Sequence, residues 1–258
     1  MTPSNFTETP SNLSVPASGP NVPVLLLTEW QEAFPGVVAG ITTGGSGGGF
    51  DLALWGGDST GRVLPRWESL RLASGMVSVV HARQVHQATV RHHRDTPAGL
   101  HLAPNADGHL TRTRGTLLTV SVADCVPVFL IAPDAGVIGL LHGGWRSVAA
   151  GILEDAVEAL RDHHGLSSDD LHLHLGPSIC GECYEVGPEV FEALGEPVPD
   201  SNTPIDLPGV LIRRAAKTGI LPGKTSRSTH CTKCGDVGLF SHRGGHAGRQ
   251  MAFLGLRE

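Results

Sequence analysis

Two uninterrupted apolar runs, Val126–Ile131 and Val137–Leu141, follow one another closely and limit the folds open to this chain more than any other feature. Each has the length of a strand, and neither alternates with polar residues, so each must be covered on both faces. Met76–His81 is a further β-branched, apolar run, and Thr116–Val122 places Leu118, Val120 and Val122 on one face. Leu171, Leu173 and Leu175 alternate with His172 and His174, which predicts a strand with its histidines on a solvent face. Gln250–Leu256 reads as the final strand. Val148, Ile152, Ala156 and Leu160 recur at helical spacing and predict one helix over Ser147–His163, stopped by Gly165. Shorter helices are expected over Pro188–Leu194 and Leu207–Thr218, each followed by a glycine. Strands and helices do not alternate strictly, so the expected class is α+β in a single domain.

Residues 1–21 are rich in Ser, Thr, Asn and Pro and have no period. They read as a disordered tail before a folded domain spanning 22–258, and removing residues 1–20 is expected to leave stability and turnover nearly unchanged. The 19 Lys+Arg against 25 Asp+Glu give a net charge of -6, which disfavours a nucleic-acid partner. No apolar run approaches the ~20 residues of a membrane span, and the N-terminus lacks the basic and apolar regions of a secretory signal. A cytoplasmic monomer or small homo-oligomer is expected. The five cysteines are then thiols or ligands rather than disulfides.

Three segments place metal-ligand residue types at predicted strand ends. They are Arg83–Gln87 around His86, Ala123–Pro127 around Asp124 and Cys125, and Leu141–Arg146 around His142. One thiolate and two imidazoles make a zinc set that leaves a fourth position open. A half-buried thiol with two hydrogen-bonded histidines would produce the same spacing. After His142, Gly143 and Gly144 allow a sharp turn, and a helix beginning near Trp145 would offer free N–H groups and Arg146 to an anion. An ordinary strand-to-helix turn with a surface arginine would read the same way.

Those segments resemble the bacterial laccase-domain, or polyphenol-oxidase-like, family of purine nucleoside phosphorylases. The resemblance rests on QVH at Gln84–His86, ADGHLT at Ala106–Thr111 and VADCVPV at Val122–Val128. It continues through HGGWR at His142–Arg146, GPSICGECYEVG at Gly176–Gly187, Cys231–Thr232, and FSHRGGHAGRQ at Phe240–Gln250. It implies a layered α/β/β/α fold with mixed sheets and one metal, usually Zn²⁺ rather than copper, held by His86, Cys125 and His142. It also implies phosphorolysis of adenosine, inosine, guanosine and methylthioadenosine, with adenosine deamination. Phosphate would pair with Arg146 and Arg243, and Asp124 would serve as acid or base. The chain departs from the family pattern after Gly57-Asp58, where Pro65-Arg66-Trp67 lacks the usual Asn, and at His242, Arg243 and Gly244.

Other features point elsewhere. Cys125 with His142 or His86 would also suit a metal-free cysteine hydrolase. Copper-dependent phenol oxidation would need more His-x-His pairs than His172/His174. A non-catalytic peptidoglycan editing factor would need no reactive site. Cys180-x-x-Cys183 and Cys231-x-x-Cys234 have the spacing of zinc ligands, but their long separation favours incidental loop thiols. Gly44–Gly49 lacks the Lys-Ser/Thr ending of a phosphate loop and reads as a flexible loop that could close over the site.

Overall fold

The computed structural model describes residues 3–14, 21–45, 47, 49–55 and 59–258. The Gly44–Gly49 loop lies partly outside the described residues, as do Gly57 and Asp58. Strands β1 (Ser4–Phe6), β2 (Thr9–Leu13) and β3 (Val22–Leu26) precede α1 (Thr28–Ala33), β4 (Val37–Thr42) and α2 (Thr60–Ser74). Then come β5 (Ser78–Ala82), β6 (Val90–His93), β7 (Gly99–Ala103), β8 (Gly108–Thr111), β9 (Thr116–Val122), β10 (Val126–Ala132) and β11 (Val137–Gly143). The remainder is α3 (Trp145–Ala149), α4 (Ile152–His164), β12 (His172–Leu175), β13 (Glu185–Val186), α5 (Pro188–Leu194), β14 (Thr203–Pro204), α6 (Leu207–Thr218), β15 (Thr225–Ser228) and β16 (Gln250–Leu256).

Two mixed sheets stack face to face. One is ordered β1-β15-β12-β10-β11-β8-β6 and the other β2-β3-β4-β16-β9-β5-β7. The apolar run of β10 shows why both faces had to be covered. Val126, Val128, Leu130 and Ala132 pack with Val157 and Leu160 of α4 and Leu211 of α6, while Phe129 and Ile131 face the second sheet with Leu118 and Val120 of β9. Beyond that sheet, Val63, Trp67 and Leu70 of α2 close the outer layer. The order α/β/β/α follows from these three apolar layers.

Three expectations are corrected. First, residues 4–13 are not a loose tail. β1 pairs with β15 and β2 with β3, so the segment caps both sheets. Glu8 between them is 1% exposed. Its carboxylate meets His174 Nε2 at 2.7 Å and accepts from Ser228 Oγ at 2.6 Å. Few apolar residues hid this, because the segment is held by strand pairing and a buried polar network. Glu8→Ala is therefore expected to cost roughly 2–3 kcal/mol in chemical denaturation, since it orphans partners of a charged acceptor. Deletion through residue 13 should cost at least as much; an unchanged midpoint for both would restore the tail reading.

Second, His174 does not face water. It is fully buried between the sheets against Phe6, Trp30 and Phe129, and His172 packs on Phe34. Third, the single helix expected over Ser147–His163 is two, broken where Gly151 adopts φ 90°. That left-handed angle favours glycine and ends α3 after five residues. The sequence pattern also missed α2, whose internal Pro65 reads as a breaker.

Candidate metal centre

Three connections cross from one sheet to the other at the same end of the sandwich. β5 leads through Arg83–Gln87 to β6, β7 leads past Asp107 to β8, and β9 leads through Ala123-Asp124-Cys125 to β10. His142 stands near the end of β11, whose partner in register is Pro127 of β10. The crossings bring together residues far apart in sequence. Donor atoms of His86, Cys125 and His142 all lie within 4.8 Å of one another.

Asp107 organises this end. Its carboxylate accepts backbone N–H bonds from Val85 (3.1 Å), His86 (2.9 Å) and Gln87 (3.0 Å), and meets His142 Nδ1 at 2.9 Å. It thereby holds His86 at φ 57°, an uncommon angle for a side chain with a Cβ. Burial alone would raise the Asp107 carboxyl, but His142 and these N–H groups keep it below the usual carboxylate range. With Nδ1 engaged, His142 keeps Nε2 for a ligand, the carboxylate–histidine arrangement common at zinc sites.

Burial would raise the Cys125 thiol, yet the charge and hydrogen bond of His142, with help from His86, lower it to about 6. Burial would lower His142, but Cys125 and Asp107 raise it to about 9. In the metal-free protein the two form a thiolate–imidazolium pair between those values. Gly144 leaves the space between the three donors clear. A Cβ there would lie 3.0 Å from His86 Cδ2, 3.3 Å from Cys125 Sγ and 3.3 Å from His142 Cε1. The donor types, their convergence and that gap fit a zinc ion with one open position.

Asp124, expected as acid or base, has both carboxylate oxygens engaged by the surrounding chain. Its Oδ1 accepts from Thr232 Oγ1 at 2.6 Å and its Oδ2 from the Arg243 backbone N–H at 2.7 Å, with φ at 93°. It positions the Cys125 connection. Arg146 lies with its guanidinium 4.1 Å over the Trp145 ring. Because α3 is so short, it offers an anion little of the dipole expected of a long helix. Arg243 lies 5.1 Å over Tyr184 and donates to the Glu185 carbonyl at 2.8 Å. Burial, with Cys125 and Asp124, pushes Tyr184 up to about 12, against the pull of Arg243 and Arg146.

A cavity of about 390 Å³ opens beside the three donors, lined also by Trp55, His81, Arg83, Gln84, His242 and Arg249. Trp55 stacks on His81 at 5.4 Å, and burial pushes His81 down to about 4, so its ring is neutral at physiological pH. Neither Arg146 nor Arg243 lines this cavity. Trp55 lies in no recognisable motif, while Asp107 and Arg249 stand in ADGHLT and FSHRGGHAGRQ without an assigned task; these segments converge only in the fold. Among the described residues, no helix is long and apolar enough to cross a membrane.

The family model described as "Multi-copper polyphenol oxidoreductase laccase" matches residues 38–257. Purine nucleoside phosphorylase YlmD of Geobacillus stearothermophilus is 32% identical over 252 residues, covering 87% of this chain and 92% of that protein. Adenosine deaminase RL5, from an unknown prokaryotic organism, is 29% identical over 214 residues, covering 76% of this chain and 81% of that protein. The crystal structure of YlmD from Geobacillus stearothermophilus superposes with a TM-score of 0.81 at 28% identity, covering 96% of this chain and all (100%) of that one.

Proposed function

Since the chain belongs to the multi-copper polyphenol oxidoreductase laccase family, we propose that it is a zinc-dependent purine nucleoside phosphorylase with adenosine deaminase activity. Adenosine, inosine, guanosine and methylthioadenosine are the nucleosides proposed, with phosphate as second substrate and the cytoplasm as its place of work. The observation that carries this is the convergence of His86, Cys125 and His142 around the space left by Gly144, beside a cavity of small-molecule size. Relatives named for purine nucleoside phosphorolysis and adenosine deamination support the substrate class. Among the described residues, three or more histidine, cysteine or carboxylate donor atoms converge within 4.8 Å of one another only at this site and at the four cysteines, which does not suit a multicopper centre.

His86, Cys125 and His142 would hold a zinc ion, which when bound would supply Lewis-acid polarisation. The protein supplies the rest. Asp107 fixes the His142 tautomer and the His86 loop. Trp55, backed by the neutral His81, offers a flat apolar face to the purine. Arg146 and Arg243, over Trp145 and Tyr184 and outside the cavity lining, are proposed to position phosphate for attack on ribose C1′ while the purine leaves.

Arg146→Ala is then expected to weaken phosphorolysis roughly 10- to 150-fold, through phosphate KM, kcat or both, and to spare deamination, which needs no anion. Steady-state kinetics of both reactions on one preparation decide this. Unchanged phosphate dependence, with a raised KM in Arg83→Ala instead, would move the anion into the cavity.

The thiolate–imidazolium pair would also serve a cysteine nucleophile, and pH separates the two readings. Between about 6 and 9, Cys125 has already lost its proton while His142 retains one. Metal binding must displace the His142 proton, so apparent zinc affinity should rise about tenfold per pH unit and level off above that range. A flat profile in competition titrations would contradict ligation by His142.

A further inference from the structure

The parallel pairing of β12 with β15 has a second consequence. It brings the loops that follow these strands side by side, joined by a bridge between Ser178 and Cys231 and by Thr232 N–H donating to Ser178 O at 3.0 Å. The two Cys-x-x-Cys segments, distant in sequence, thereby meet. We infer that Cys180, Cys183, Cys231 and Cys234 form a second, closed metal site that holds one zinc ion and clamps these two loops together.

All four Sγ atoms lie within 4.8 Å of one another, and Cys180 Sγ is 3.9 Å from Cys234 Sγ. Four thiolates at ~2.3 Å from a tetrahedral zinc stand about 3.8 Å apart, so little movement is needed. The backbone is shaped for such a site. Each pair spans a tight turn, closed by Cys183 N–H to Cys180 O at 3.1 Å and by Gly235 N–H to Cys231 O at 3.0 Å. Only glycine fits at 235, because a Cβ would come 2.4 Å from the Cys231 carbonyl oxygen. The Cys180 N–H donates to Cys231 Sγ at 3.3 Å, and the N–H groups of Lys233 and Cys234 point to the same sulfur. Such donors stabilise a ligating thiolate. Zinc displaces the thiol protons to solvent, and no electrons move.

With four protein ligands the site has no open position, so its task is structural. Ile179 N–H donates to Asp124 O at 3.0 Å, and Thr232 Oγ1 donates to Asp124 Oδ1. The clamp therefore fastens the two residues that hold the Cys125 connection.

Metal analysis and cobalt substitution test this independently of any catalytic reading. The chain purified without chelator should carry one zinc in excess of the His86/Cys125/His142 site. Cys125→Ala should retain that zinc, and after exchange to Co²⁺ should display the intense sulfur-to-metal absorption of a tetrahedral thiolate site. Cys183→Ser/Cys234→Ser should lose this signal and melt at a lower temperature while keeping the other metal. If the double variant does not fold, the wild-type and Cys125→Ala measurements still decide. A Cys125→Ala protein without metal would overturn the inference. So would iron–sulfur absorption, or an intact mass showing a disulfide among the four thiols.

Discussion

Cys125→Ala and His142→Ala are each expected to lose the ion of the His86/Cys125/His142 site, but not that of the four cysteines, and to lower turnover at least about 1000-fold, with the fold retained. Three protein ligands are the fewest that define the proposed open zinc site, so two cannot hold the ion at working concentrations. Lewis-acid stabilisation of the transition state amounts to several kcal/mol, which sets the size of the loss. The structural cost is smaller. Cys125 is half-buried in a connection, and removing His142 still leaves Asp107 its three backbone donors. Metal content, circular dichroism and kcat on each variant check this; full turnover in either would remove the metal from the mechanism.

Asp107→Ala should produce the next largest effect although Asp107 is not placed among the ligands. It leaves the N–H groups of Val85, His86 and Gln87 and the Nδ1 of His142 without their acceptor. Zinc affinity should fall about 10- to 100-fold, as for other carboxylates behind a ligating histidine. Stability should fall by about 3 kcal/mol, because buried donors are orphaned. The stability this carboxylate contributes is present at neutral pH and is lost as pH falls through its depressed pKa. Competition titration and denaturant unfolding measure both quantities. Unchanged zinc affinity with a large stability loss would confine Asp107 to a structural role.

Much of the central sandwich was legible because its strands are continuous apolar runs, and β10 and β11 must be buried on both faces. The edges were not. β1 and β2 are polar and short, and Glu8 is buried only because His174 and Ser228 wait for it across more than a hundred residues. His86, Cys125 and His142 are legible as strand-end metal-ligand residue types, yet their convergence depends on three crossings between sheets that no local spacing encodes. For the same reason the hydrogen bonds that Asp107 and Asp124 accept, from segments distant in sequence, are not legible in their motifs. The two cysteine pairs read as incidental thiols because they lie far apart in sequence, a separation that the parallel neighbours β12 and β15 cancel.

The most direct test of the account is ribose 1-phosphate formation from adenosine and phosphate by one preparation, measured as purified, after chelation, and after zinc is restored. Adenine and ribose 1-phosphate should appear in equal amounts, vanish with the metal and return with zinc. Equal phosphorolysis by the metal-free protein, or none under any metal condition, would contradict the account.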